Sequence, residues 1–415
     1  MADELLGWEW DFAHMPYTDR WRRHRRLFHQ YFQPRNITVF YPFQKRMTVT
    51  LLGQLADSPD NFVAHIRQYV ASIVLRAAYG YEVKEENDFY IKLVHSAMEP
   101  LHPAIHATRS SLVDFLPSLK FVPSWMPGAG FKRLALANAP KSQALRDIPF
   151  NAVKTSMAEG VAQRSFVYDN LEKIHSENPL GVEEEEIVRN CAGIVYLGGC
   201  INRCTVSLLT AWILAMALYP EVQQRAQKEI ENVIGTGRLP EFTDIVSLPY
   251  VEAIVLETMR WHPVTPLGLP HLTLHDDVYN GYKIPAGSTI TVNTRAILHD
   301  EGLYPEPSKF DPDRFLQNGN ISFDSQPDPL VAGGFGFGRR VCPGRHLAMN
   351  SARIAILSIL ATYNISKAVD ARDETIEPLL RGVTDGVISH PQTYKVQITP
   401  RSIGHVQLVE SAKTE

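Results

Sequence analysis

Cysteine is scarce: four residues (Cys191, Cys200, Cys204 and Cys342) in a chain of 415. So few argue against a disulfide framework, and against secretion. Also lacking is an uninterrupted apolar run of about 20 residues, the length a bilayer-crossing helix needs. The strongest apolar run, Val206 to Leu218, is shorter, has charged residues before and after it, and reads as a buried helix. The opening MADELLGWEWDF has no basic start followed by an apolar stretch, so no secretory signal is expected. An excess of one charge is missing too. The formal net charge of -4 gives no global pull toward nucleic acid or an anionic membrane. One basic cluster, Arg20 to Arg26, is too short and too interleaved to read as a nucleic-acid arm.

What is present is the composition of an ordinary globular protein, 45% hydrophobic and 21% charged. Length alone would allow two or three domains. Without an internal repeat or a linker, the expectation is one domain over residues 1–415, mainly α with a minor β portion. Apolar residues recur at three- and four-residue spacing over 60–79 and 150–171, which predicts helices. A proline-rich passage, 116–130, separates them. Glu183 to Glu186 suit a first helical turn, where the dipole favours negative charge. From Ile187 the helical pattern runs to Leu218, about 48 Å at the usual rise per residue, and Pro220 ends or offsets it. Further helices are expected over 221–234 and from about 247 to 261, the latter with Pro249 in its first turn. Short strands around the turn pairs Asn280-Gly281 and Ala286-Gly287 fill 266–297. The stretch 304–338 reads as irregular. A last long helix carries Leu347, Ile354, Leu357 and Leu360, and 382–400 reads as a small hairpin.

The chemistry concentrates in Phe335-Gly336-Phe337-Gly338-Arg339-Arg340-Val341-Cys342-Pro343-Gly344. Glycines let this backbone turn tightly and approach a flat ligand. Cys342 precedes a predicted helix, whose N-terminal dipole stabilises a thiolate. Arg340 places a cation two residues away, suited to a carboxylate. A single cysteine is more often packed filler, but five matched positions reverse those odds. Phe335, Gly338, Arg340, Cys342 and Gly344 fit F-x-x-G-x-R-x-C-x-G, and the stretch resembles the haem-binding signature of the cytochrome P450 family, in which a cysteine thiolate is the axial ligand of the haem iron.

The resemblance implies more. Glu257-Thr258-Met259-Arg260 looks like the family's E-x-x-R and Phe310 to Phe315 like its P-E-R-F region, implying a buried network of Glu257, Arg260 and Arg314 under the haem loop. Trp21 and Arg25 look like W-x-x-x-R, and with Arg340 and His271 they would hold the propionates of haem b. Counted from the downstream side, Thr205 fits the last threonine of the oxygen-activating helix and Arg203 stands where an acid is expected; counted from upstream, Ile201 stands there, as though two residues were inserted, and neither count gives a carboxylate. Missing relay groups cost about 10²–10⁴-fold where general acid catalysis is needed. Cys200 and Cys204, four apart, read as buried small residues. By analogy a substrate pocket would include 102–106 and 195–199.

Family motifs begin as early as Trp21, so the fold is expected to lack the N-terminal anchor and first sheet strands. Trp8 to Ala13 and Ala215 to Pro220 look most like fungal members. The expected protein is a haem-thiolate monooxygenase acting on an apolar substrate with O₂, served by NADPH-cytochrome P450 reductase and not by nucleic acid. Its expected place is the cytoplasmic face of the endoplasmic reticulum, or the soluble phase since this chain shows no spanning segment. The rival is a catalytically impaired haem-binding protein of the same fold, and a third reading is a helical module without haem.

Overall fold

The computed structural model describes residues 2–84, 87–99, 113, 116–177, 181–200, 203–370, 372, 374–378 and 387–414. Residues 102–106, read above as pocket wall, lie outside them. The chain forms two compact units, residues 1–47 with 64–202, and 48–63 with 203–415.

The first unit is helical: α1 (Ala2–Leu6), α2 (Asp19–Phe32), the start of α3 (Tyr41–Asp57), most of α4 (Phe62–Tyr79), α5 (Phe89–Met98), α6 (Gly130–Ala158), α7 (Phe166–Glu177) and α8 (Val182–Cys200). Side-chain caps start two of them. Thr18 Oγ1 accepts from Trp21 N at α2, and Asp88 accepts from Tyr90 N and Ile91 N at α5; such caps contribute about 1 kcal/mol each. The helix expected over 150–171 is in fact two. α6 ends at Ala158, and Gly160 follows with φ of 73°, a left-handed turn that glycine adopts at little cost. Aromatic rings fill the core, with Phe32 stacked on Phe166 (centroids 5.8 Å) and on Phe40 (6.0 Å). α8 lies hard against α4. A Cβ added at Gly199 would come within 2.0 Å of Val74 Cγ1, whereas one at Gly198 would meet nothing.

The second unit holds α9 (Arg203–Leu218), α10 (Pro220–Val233), α11 (Pro249–Trp261), the strands β1 (His271–Leu272), β2 (Asp277–Tyr279), β3 (Tyr282–Ile284) and β4 (Thr289–Ile290), then α12 (Thr294–Leu298), β5 (Leu316–Gln317), β6 (Asn320–Ile321), α13 (Arg345–Thr362), β7 (Tyr363–Lys367), β8 (Val396–Pro400) and α14 (Ile403–Thr414). Pro220 and Pro249 each open a helix, where the missing N–H is no loss. The long helix expected from Ile187 to Leu218 is described as α8 and α9 on either side of 201–202, which lie outside the described residues. A window within Val182–Leu218 has the length and hydropathy to cross a membrane, yet 87% of it is buried in the protein, as a core helix would be.

The strands are antiparallel pairs. β2 and β3 meet across Asn280-Gly281, whose φ values of 48° and 81° make the primed turn that suits hairpin twist. A second such hairpin, β5–β6 across Asn318-Gly319 (53° and 78°), lies where irregular chain was expected. The tail also differs from expectation. β8 pairs with β7, a strand directly after α13, and not within its own stretch. Tyr363, Ile365, Val396 and Ile398 alternate inward and are buried, so the core fixes this distant pairing. α14 follows, a helix the sequence reading did not identify. In α13, Leu347, Ile354, Leu357 and Leu360 are buried as expected, each contributing roughly 1.5–3 kcal/mol. The chain is mainly α with a minor β portion, as expected.

Candidate haem-thiolate site

The loop before α13 is closed by its own backbone. Cys342 N donates to Phe335 O at 2.8 Å, and Val341 N donates to Gly338 O at 3.2 Å inside that closure. The turn depends on Gly336 and Gly338, with φ of 78° and 55°, a region costly for most side chains. Gly344 leads into α13, and Arg345 Nη1 donates to Cys342 O at 3.2 Å. Phe335, Arg340, Cys342 and Gly344, all singled out in the sequence, are thus gathered on one half-buried segment at a helix start. Cys342 is partly exposed and in no disulfide. A Cβ placed at Gly336, Gly338 or Gly344 would meet no atom within 4 Å. Free volume therefore borders the loop where a thiol stands at a helix N-terminus, a setting that favours thiolate.

Behind the loop lies a buried ionic network. Arg260 Nε and Nη2 donate to the two oxygens of Glu257 at 2.7 and 2.8 Å, and both residues are fully buried. Arg314 Nε donates to Glu257 Oε1 at 3.1 Å, and so does Asp311 N at 2.9 Å. Arg260 then reaches the carbonyls of Leu298 and Pro307, both at 2.9 Å, and its guanidinium lies over the Tyr304 ring. Burial pushes the Glu257 carboxyl up, and the Arg260 guanidinium opposes this most strongly. Every polar group in the network has a partner, which is what makes a buried charge tolerable. A cytochrome P450 family model matches residues 10–398.

The chain belongs to the cytochrome P450 family. It is 39% identical to a cytochrome P450 monooxygenase of Armillaria gallica over 99% of this chain and 79% of that one. It is similarly 39% identical to a cytochrome P450 monooxygenase of Coprinopsis cinerea, over 98% and 78%. Tryptamine 4-monooxygenase of Psilocybe cyanescens is 37% identical, over 97% and 78%. The protein is accordingly an oxidoreductase, a haem-dependent monooxygenase that uses O₂, a substrate and a redox partner, and nothing in these relatives favours the impaired alternative. The residues present fit haem: a thiol able to ionise, a nearby arginine, and open space bordering a glycine-rich loop.

The other residues singled out in the sequence lie on other elements. Trp21 is buried on α2 with its ring 5.0 Å from that of Tyr17, and Arg25 is partly exposed one turn on. Their basic neighbours are mostly a solvated face. Arg20 pairs with Glu186, Arg22 with Asp19, and Arg23 with Glu183 and Glu184, exposed pairs of about 0–1 kcal/mol. His271 is exposed on β1, opposite Ile290. Thr205 is buried in the first turns of α9. Cys204 corrects the expectation of a buried small residue, since it is exposed. Protein packed around it, and next the neighbouring sulfur of Cys342, push its pKa up to about 12.

One polar cluster has no signal in the sequence. His262 Nε2 lies 2.9 Å from Ser207 Oγ and 3.3 Å from Ser389 O, and Ser207 Oγ donates to the same carbonyl. The cluster ties α9, the end of α11 and the C-terminal segment together. Burial lowers the His262 pKa to about 4 from an ordinary 6.5, although the Ser389 carbonyl works against the shift. A histidine whose folded value is depressed binds its proton better unfolded. Its neutral burial is therefore fully tolerated above about pH 6.5 and costs stability as pH falls toward 4, by roughly 3 kcal/mol at the limit. Urea midpoints should drop across that window, and His262→Gln should flatten the drop; equal slopes in both proteins would contradict it.

Proposed function

We propose that this P450 inserts one atom of O₂ into an apolar organic molecule, as part of fungal secondary metabolism or the oxidation of foreign compounds. Electrons come from NADPH through NADPH-cytochrome P450 reductase, and the cofactor is haem b. The protein acts as a single domain over 1–415 at the cytoplasmic face of the endoplasmic reticulum. The observation that carries the reading is the self-closed Phe335–Cys342 loop, with open space at Gly336, Gly338 and Gly344.

Haem held through sulfur supplies the oxygen chemistry, because a thiolate ligand favours O–O cleavage. This chain's residues do the rest. Cys342 presents the deprotonated sulfur, and the α13 dipole helps keep it so. Arg340, Trp21, Arg25 and His271 would offer donors to the propionates, and Phe335 and Gly344 would help form the loop that holds the group. Thr205 would hold a proton at Oγ1 in the oxygen-activating helix. The missing carboxylate at Arg203 predicts that proton delivery is slow, within the roughly 10²–10⁴-fold range that such groups contribute. One of the relatives above acts on tryptamine by its name, which supports an organic substrate of modest size.

The decisive experiment combines holoprotein, reductase and NADPH with a panel of apolar compounds and tryptamine, and compares O₂ consumed with product and peroxide formed. Hydroxylated product from at least one compound is expected. Peroxide accounting for all oxygen with every compound would replace this reading with the impaired one.

A further inference from the structure

The head of α9 is strapped to a distant segment of its own unit. Ser207, fully buried, donates through Oγ to the carbonyl of Ser389, and His262 Nε2 lies 2.9 Å from that hydroxyl and 3.3 Å from the same carbonyl. The serine hydroxyl has one proton and gives it to Ser389, so the imidazole carries its own proton at Nε2 and donates to these oxygens. Ser389 is held from its other side as well, its N–H donating to the Val264 carbonyl at 2.8 Å. About one turn further along α9, the Thr210 carbonyl accepts from Tyr394 Oη, and the Tyr394 ring lies against Phe62 with centroids 5.6 Å apart. A helix interior satisfies its own backbone and needs no such bonds to form. Two attachments from residues 389–394 onto successive turns do something else: they fix the rotation of α9 about its axis, and with it the direction of every side chain in those turns. Thr205 stands in the same stretch, two residues before Ser207.

We propose that Ser207, His262 and Tyr394 are positioning residues for the oxygenation reaction, clamping the head of α9 so that Thr205 presents its Oγ1 in one fixed place. This rests on the reading that Thr205 holds a proton for oxygen activation. None of the three need touch substrate or haem. The clamp matters because a group misplaced by about 1 Å can lose roughly a hundredfold in rate. Oxygen that has taken up two electrons without that proton in place leaves as hydrogen peroxide, with protons drawn from water, and the substrate stays unoxidised. Ile201, Asn202, Arg203 and Cys204 include no carboxylate that could share the task.

The test compares the haem-loaded parent with Ser207→Ala, Tyr394→Phe, His262→Gln and Thr205→Ala. Each is given reductase, NADPH and a compound that the parent oxidises, and product formed per O₂ consumed is measured. Ser207→Ala and Tyr394→Phe should lower that ratio at least about threefold with KM unchanged. His262→Gln, whose amide can place a neutral donor where Nε2 stood, should stay within about twofold of the parent. A purely structural role would lower the urea midpoint and the yield of loaded protein, yet each loaded molecule would couple as the parent does. That result in Ser207→Ala overturns the proposal. If Ser207→Ala loads no haem, the same ratio in Tyr394→Phe decides. If the parent oxidises none of the compounds, the infrared stretch of the bound carbonyl in Ser207→Ala decides: a shifted or broadened band supports the clamp, and an identical one refutes it. Parent-like coupling in Thr205→Ala would instead defeat the Thr205 reading on which the proposal stands.

Discussion

Cys342→Ser should abolish the long-wavelength Soret band of the reduced carbonyl complex while leaving the fold in place. Serine is smaller in charge than in shape: its hydroxyl stays protonated at neutral pH, so it cannot replace an anionic sulfur as iron ligand. The loop should survive the exchange because its closure is made by backbone atoms, Cys342 N to Phe335 O, and because the side chain is only partly buried. Loss of monooxygenase turnover should exceed the roughly 10–100-fold typical when a mere supporting partner of a metal ligand is removed. Far-ultraviolet circular dichroism, haem-to-protein ratio and the carbonyl spectrum of the same preparation check the three parts separately. A serine variant with the parent's bands would place the iron on another ligand.

Glu257→Gln should be strongly destabilising although it is a conservative change. The amide keeps the shape of the carboxylate but strands the charges of Arg260, fully buried, and Arg314, nearly so. Breaking a buried pair from one side costs about 3–5 kcal/mol, a large share of the 5–15 kcal/mol that domains possess. The network holds the carbonyls of Leu298, Pro307 and Lys309 as well, so the damage should spread to the chain leading into the haem loop. A lower urea midpoint and a reduced haem content are expected together. The control is Asp313→Asn, which breaks an ion pair with Arg225 that is half exposed at both ends and should change stability by less than about 1 kcal/mol. Equal effects from the two variants would show that burial is not what gives Glu257 its weight.

Much of this P450 was determined by the sequence on its own. Positions that need a particular backbone or a particular atom write themselves into residue identity: the glycines that must turn at 336 and 338, the prolines that open α10 and α11, the thiol at 342, the Asn-Gly pair between β2 and β3. Asn318-Gly319 carries the same hairpin signal, obscured by its Pro- and Asp-rich neighbours. Other features were settled only by tertiary structure. β8 pairs with β7 because both strands bury alternate residues in one core, a long-range match that a tail of chain cannot display by itself. Ser207, His262 and Ser389 form a cluster from three distant stretches. Cys204 looked like filler since helical spacing fixes the angle of a side chain but not whether matter or space stands beyond it. Periodicity and backbone geometry are local properties and survive in a string of letters; burial and proximity depend on what the rest of the chain brings alongside.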